Sequence, residues 1–233
     1  MIPITSKKMA NYDPDKYGQL SPYYPAFTVT TGVYDFYMDY PFTIANHHAV
    51  ISGQMLAILM AKTKLLNNEP VNLVGYSLGT VFVYSTCVAL YDLGCCQDVN
   101  DVCLMGGCVD EYSLGQNIQK LVGSRGSIKG KLTILYTKYD SVLKYMFKSV
   151  RLGENPIGLA KVNFEFLADC LINQDDAFKG MSKFDAVAYL HTRIDNLDSS
   201  DWCKSHFAFK KKAHLILPHL TFNSDMRYFN NGN

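Results

Sequence analysis

The sequence predicts an α/β fold, a mostly parallel sheet with helices on both faces. Three observations point there. Short apolar runs alternate with helical patterns from residue 71 to residue 150, the sign of a parallel sheet covered by crossover helices. The run Val71-Asn72-Leu73-Val74 ends directly in a glycine, as a buried parallel strand ends in a turn. A Gly-x-Ser-x-Gly motif, Gly75-Tyr76-Ser77-Leu78-Gly79, lies between that strand and the helix after it.

The elements follow in order. The first 25 residues, rich in Tyr, Pro and Asp, are expected to be irregular. Residues 26–31 (AFTVTT) are β-branched and end at Gly32, which suggests a short strand. Residues 34–42 are aromatic and suit either element type. A helix is expected over residues 46–66, with Ile51, Met55, Leu59 and Leu66 near helical spacing. Asn67-Asn68 and Pro70 stop it. After the strand at 71–74, residues 78–93 read as a helix closed by Gly94. Residues 102–105 form the next strand, ending in Gly106-Gly107, and 110–122 a helix. Residues 131–137 (KLTILYT) are the clearest strand, and 141–150 read as helical. Beyond Arg151 the periodicity weakens, and 161–190 holds apolar pieces without order. Residues 205–220 read as a final helix halted near Pro218, followed by a loose tail. No linker-like stretch divides the chain, so one domain over residues 1–233 is expected.

Composition narrows the function classes. The chain is 48% hydrophobic with a net charge of +1, which gives no electrostatic footprint for nucleic acid. The run Lys210-Lys211-Lys212 reads as a solvated face. There are seven cysteines and no Cys-x-x-Cys pair, so the spacing for zinc is missing, and no metal or cofactor is expected. Cys87, Cys103 and Cys108 lie in apolar stretches and read as small core residues. Free core thiols suit the cytoplasm or another reducing compartment. No secretory signal is visible. The most apolar stretch, 49–60, is broken by Ser52, Gly53 and Gln54 and is too short to span a bilayer.

The motif carries the chemistry. A Ser on a strained turn between strand and helix is lifted clear of the sheet, and the first N–H groups of the helix point at a reacting carbonyl oxygen. Glycines two residues to either side are expected to let strand and helix approach closely. This context turns the expected fold into an α/β-hydrolase-like three-layer sandwich.

The segment from Val71 to Gly79 resembles the same turn in a eukaryotic hydrolase family, that of the transmembrane and coiled-coil domain-containing protein four. Val102-Cys103-Leu104-Met105-Gly106-Gly107-Cys108-Val109 resembles the family's next strand and small-residue turn. Tyr139-Asp140-Ser141-Val142-Leu143-Lys144-Tyr145-Met146-Phe147 resembles its acid-bearing segment, and Ile157-Gly158-Leu159-Ala160-Lys161-Val162 a short run after it. Ile194-Asp195-Asn196-Leu197-Asp198 and Ser205-His206-Phe207-Ala208-Phe209 resemble its histidine segment. The likeness spans residues 45–215. It departs at a shortened N-terminal part, where the family carries an earlier strand and hydrophobic segments, and at extra sequence over residues 163–190. The resemblance implies a lipase or esterase and no particular substrate.

A Ser nucleophile needs a base, and the base an orienting acid, in chain order Ser, Asp, His in this fold. Asp140 follows the best strand and is the favoured acid; a helix N-cap is its other reading, and both roles suit one Asp. Asp110 is the reserve acid. His47 and His48 precede Ser77; His191, His214 and His219 have apolar neighbours. His206 has the order and the resemblance on its side. The oxyanion donors are expected from the Leu78 N–H and, from the loop after the earlier strand, Gly32. The expected activity is cleavage of acyl esters, with small-molecule or lipid ester substrates and an acyl pocket or lid from residues 34–42 and 163–190. The other reading is an inactive hydrolase-fold scaffold, because a missing oxyanion loop would cost roughly 10²–10³ in rate. Two further partners stay open: a membrane touched peripherally, and a protein covering the shortened N-terminal part. A dinucleotide-binding reading fails for want of Gly-x-Gly-x-x-Gly.

Overall fold

The apolar residues of the strands divide between two faces, and that division builds the molecule. The computed structural model describes residues 32–63, 71–95, 99–147 and 154–216. The expected irregular segment at 1–25, the strand over 26–31 and the C-terminal tail lie outside the described residues. Four strands, β1 (Val71–Tyr76), β2 (Val99–Met105), β3 (Leu132–Tyr136) and β4 (Ile194–Asp198), form one sheet in the order β1-β2-β3-β4. Every pair is parallel, with Gly75 opposite Leu104, Leu104 opposite Ile134 and Ile134 opposite Asn196. The fold is therefore of the α/β class.

Side chains alternate across a strand. Val102 and Leu104 of β2, with Leu132 and Ile134 of β3, enter a large core on one face. Cys103, Met105 and Leu135 point to the other face and join a small core with Cys203 and Phe209. The helices are α1 (Gly32–Thr63), α2 (Leu78–Asp92), α3 (Glu111–Gln116), α4 (Ile118–Val122), α5 (Phe164–Gln174), α6 (Lys183–Arg193) and α7 (Ala208–Ile216). Buried residues of α2 to α6 fill the large core, while α7 lends Phe209 to the small one.

Several elements differ from the sequence reading. Residues 34–42 belong to α1, which thereby starts well before the expected residue 46. Its portion Pro41–Thr63, with mean hydropathy 1.2, is long and apolar enough to cross a membrane by length and composition. The apolar stretch read as 49–60 is thus part of a longer apolar helix, which meets this test by length and composition only. One side of α1 lies on α2: a Cβ at Gly53 would run into the Phe82 carbonyl, and the Thr86 hydroxyl donates to the Gly53 carbonyl at 3.1 Å. Ile51, Met55, Ile58 and Leu59 are exposed.

The expected helix over 110–122 is two short helices broken at Asn117, whose ψ of 15° leaves the helical range. The stretch after Asp140 is a π-helical turn, Val142–Phe147, and residues 148–150 lie outside the described ones. Residues 161–190 hold α5 and α6. Phe164, Leu167, Ala168 and Leu171 share one face of α5 and are buried in the large core, where α5 packs against α3, α4 and α6. Asn163 caps α5 by accepting from the Glu165 and Phe166 N–H groups, and Ser182 caps α6 by accepting from Asp185. β4 went unseen because Ile-Asp-Asn-Leu-Asp is too polar to read as a strand.

The two motif glycines are not equivalent. A Cβ on Gly75 would sit 2.6 Å from the Gly79 carbonyl oxygen and 2.8 Å from Thr80 Cα. A Cβ on Gly79 meets nothing within 4 Å. Only Gly75 lets β1 and α2 close up. Gly75→Ala is expected to destabilise the chain by about 1–3 kcal/mol. Gly79→Ala should be neutral or stabilise by up to about 1 kcal/mol. Urea unfolding of the two variants checks this, and equal losses would contradict it.

Candidate functional site

The carboxyl edge of the sheet gathers the chemistry-bearing residues, as it does in open parallel sheets. Ser77 follows β1, Cys108 follows β2, Asp140 follows β3, and His206 follows β4 just ahead of α7. Ser77 turns the chain from strand to helix with φ 55° and ψ −127°, alone among the described non-glycine residues in having positive φ. Such a conformation costs of order 1–3 kcal/mol and persists only where the surroundings enforce it. Here they do. The Ser77 N–H donates to the Met105 carbonyl at 3.0 Å, extending the pairing with β2. The Ser77 carbonyl accepts from the Thr80 N–H at 2.9 Å and from the Thr80 hydroxyl at 2.5 Å. The Thr80 hydroxyl oxygen in turn accepts from the Cys108 N–H at 2.9 Å. Fully buried Thr80 thus ties the turn to the loop after β2.

Ser77 is the N-cap residue of α2 by position, but its side chain makes no capping bond. Its hydroxyl faces His206 instead, with Oγ 2.8 Å from Nε2. His206 Nδ1 lies 2.6 Å from Asp140 Oδ2. A carboxylate can only accept, so Nδ1 carries the proton and Nε2 accepts from the Ser77 hydroxyl. Asp140 is fully buried and His206 nearly so. Asp140 Oδ1 accepts from the Leu143 N–H at 2.9 Å, so the same carboxylate caps the π-helical turn and holds the imidazole. Asp140 thus stands as a cap, as one sequence reading had it, and also meets the imidazole of His206.

Tyr76 steadies the imidazole from the side. Its hydroxyl donates to the His206 carbonyl at 3.1 Å, and the two rings lie 5.1 Å apart. Burial, then the Asp140 carboxylate and Cys108, push the Tyr76 phenol up to about 12, so it stays a neutral donor. The Phe207 ring stands edge-on to His206 at 5.7 Å. Cys108 Sγ is 4.0 Å from Ser77 Oγ.

The other expected residues fall elsewhere. Asp110, the reserve acid, caps α3 by accepting from the Ser113 N–H at 2.7 Å. His191 is exposed and stacks on Phe164 at 4.1 Å. His214 is exposed on α7, and His219 lies outside the described residues. The Leu78 N–H opens α2 beside Ser77 and has no intrahelical acceptor by position. Gly32 opens α1; Thr31 before it lies outside the described residues. Cys108 was read as a core residue; it is buried, and it also borders Ser77. Its position just past β2, at the edge where Ser77 sits, was the signal for it. Tyr76 and Thr80 had no signal beyond their closeness to the motif. Cys87 and Cys103 are buried, and burial pushes each thiol up to about 12, which keeps them protonated. Among the described residues no group of His, Cys, Asp and Glu could hold a metal ion.

A family model described as a protein of unknown function, DUF726, matches residues 29–175. The chain belongs to the DUF726 family. The DUF726 match includes Ser77, Cys108 and Asp140 and ends before His206. No curated protein and no solved structure matches the chain.

Thr80→Val keeps the shape and removes the hydroxyl that bridges Ser77 and Cys108. Leaving the buried Cys108 N–H without its acceptor is expected to destabilise by about 1–3 kcal/mol, and Thr80→Ser by less. Chemical denaturation of both variants checks the difference; equal stability of Thr80→Val and parent would remove this brace from the account.

Proposed function

We propose that the chain is a serine hydrolase that cleaves carboxylic esters through an acyl intermediate on Ser77. The observation that carries this is the continuous relay from Asp140 through His206 to Ser77, with 2.6 and 2.8 Å links, set on a positive-φ turn at the mouth of α2. An incidental Ser on a strand-to-helix turn has no reason to face a buried His whose far nitrogen is held by a buried carboxylate. The parallel strand order and the nucleophile at the carboxyl edge suit an α/β-hydrolase sandwich. The resemblance to the hydrolase family of the transmembrane and coiled-coil domain-containing protein four supports the same reading, and DUF726 membership is compatible with it.

In this reading His206 Nε2 takes the Ser77 proton as Oγ attacks the ester carbonyl carbon. Asp140 keeps the proton on Nδ1 and stabilises the imidazolium. The tetrahedral oxyanion receives a hydrogen bond from the Leu78 N–H, aided by the positive end of α2. His206 then returns the proton to the departing alkoxide, which leaves as the alcohol. A water repeats the sequence in reverse roles: its proton goes to Nε2, its oxygen to the acyl carbon, and Ser77 is regenerated with release of the acid. Gly32 as second oxyanion donor remains part of the proposal from sequence alone.

A fluorophosphonate probe is expected to label Ser77 and no other residue, with labelling lost in Ser77→Ala and His206→Ala. Those variants should lose about 10⁴-fold or more in kcat/KM. Folded parent protein that takes up no probe while a known hydrolase is labelled alongside would favour a scaffold role instead.

The ester's acyl part is expected to be a hydrocarbon chain. Net charge offers no selection for charged substrates; Cys108 borders Ser77, and the rings of Tyr76 and Phe207 lie against His206. On p-nitrophenyl esters, kcat/KM should rise from acetyl toward about octanoyl, since each buried methylene is worth about 0.8 kcal/mol. A flat series, or a preference for acetyl, rejects the lipid-like part while leaving the hydrolase.

A further inference from the structure

Around the relay, the segments that carry Asp140 and His206 also carry most of the exposed aromatic side chains of that edge. Tyr139 is 45% exposed, Tyr145 66%, Trp202 37% and Phe207 64%. They are single rings on separate turns, and lysines are set among them. Lys138 and Lys204 both lie over the Tyr139 ring, 5.3 and 4.8 Å from its centre, and Lys144 lies 5.5 Å from the Tyr145 ring. Lys212 Nζ donates to the Trp202 carbonyl. Lys210 and Lys211 are exposed on α7, on the side away from buried Phe209. The exposed acids on these same two segments are Asp198 and Asp201. Among the exposed charged residues of these two segments the cations Lys138, Lys144, Lys204, Lys210 and Lys211 therefore outnumber the anions by five to two, against +1 for the whole chain.

We infer that this aromatic and lysine rim docks the protein on an anionic lipid surface. The inference rests on the hydrolase reading only for what the docking achieves, which is to turn the mouth at Ser77 toward lipid esters. The chemistry favours a membrane over a protein partner or a small anion. Isolated Tyr, Trp and Phe rings can each sink into the headgroup layer with the polar tips of Tyr and Trp left wet. The flanking lysines keep their ammonium groups at the headgroups while their stems lie along the rings. A small anion would need converging donors in a pocket; Lys138 and Lys204 do converge, but on the Tyr139 ring and beside the Asp198 carboxylate, and the other lysines lie on separate turns. The exposed stripe of α1, Ile51, Met55 and Ile58, carries one lysine, Lys62 in the last turn, against the several lysines of the rim, and is not part of the inferred surface.

The test uses the whole chain with Ser77→Ala, so that binding is read without turnover. Co-sedimentation is measured with phosphatidylcholine vesicles, with and without about 30% phosphatidylserine. The parent should bind the anionic vesicles and leave the neutral ones largely in the supernatant. Each lysine near the surface is worth roughly fivefold in partition. Reversing Lys138, Lys144 and Lys204 to Glu should therefore cut binding at least about tenfold, and Tyr145→Ser with Phe207→Ser should also cut it severalfold. Arg125→Glu with Lys129→Glu makes the same kind of charge change at the amino edge of the sheet and should change binding much less. Circular dichroism checks that each variant is folded; the aromatic pair serves where the lysine variant is not. Failure to bind either vesicle overturns the inference, as does equal binding to both. It is also overturned if the remote pair loses as much as the rim variant, or if only Met55→Ser with Ile58→Ser lowers binding. None of these outcomes bears on probe labelling of Ser77, so the docking surface and the hydrolase reading fail separately.

Discussion

A carboxylate shut away from water must have its oxygens satisfied, and Asp140 meets that demand by joining three parts of the chain. Its Oδ1 holds the first turn of the π-helical segment through the Leu143 N–H. Its Oδ2 holds His206, which arrives from beyond β4. The strand that delivers it, β3, lies at the centre of the sheet with its neighbours on both sides. Removing either partner would leave a buried charge poorly matched, a loss of the order of several kcal/mol. The position of His206, and through it the direction in which the Ser77 hydroxyl points, depends on this one group.

The rest of the edge is arranged to leave that link undisturbed. Gly106, with φ of 55°, passes beside the carboxylate, and a Cβ there would come 3.3 Å from Phe209 and 3.5 Å from Asp140 Oδ2. Gly158 comes so close to the Gly106-Gly107 backbone that no side chain fits. Its carbonyl accepts from the Thr137 N–H and its N–H donates to the Gly107 carbonyl. This crossing fastens the ends of β2 and β3 together just below the relay. Tyr76 then closes the far side by gripping the His206 carbonyl.

How much of this was legible in the sequence follows from how local each signal is. Strands β2 and β3 show as apolar runs because both of their faces are buried; β1 shows through Val71, Leu73 and Val74, although its Asn72 and Val74 are exposed. Asp140 and His206 could be chosen because chain order and the sheet edge restrict where an acid and a base can come from. β4 was not legible, since an outer strand with Asp195 paired to Lys131 and Asn196 accepting from the Val162 N–H has no apolar run to show. The division of labour between Gly75 and Gly79 was not legible either, because the motif is symmetric in sequence while the crowding lies on one side only. The length of α1 was hidden by Pro41 and by the aromatic residues ahead of it, which read equally well as strand.

The separation between Ser77 and His206 is 129 residues. During synthesis, at about 5–20 residues per second, roughly 6–26 s pass between the emergence of the two. The turn at Ser77 is held by bonds from Met105, Thr80 and Cys108, all available soon after it. The nascent chain can therefore carry a finished serine turn long before the imidazole exists to meet it. Completion waits for Phe209 and Cys203 to close the small core under His206. Order of translation thus acts as a delay: the Ser77 turn can form first, and its contact with His206 comes last, when most of the sheet is already in place.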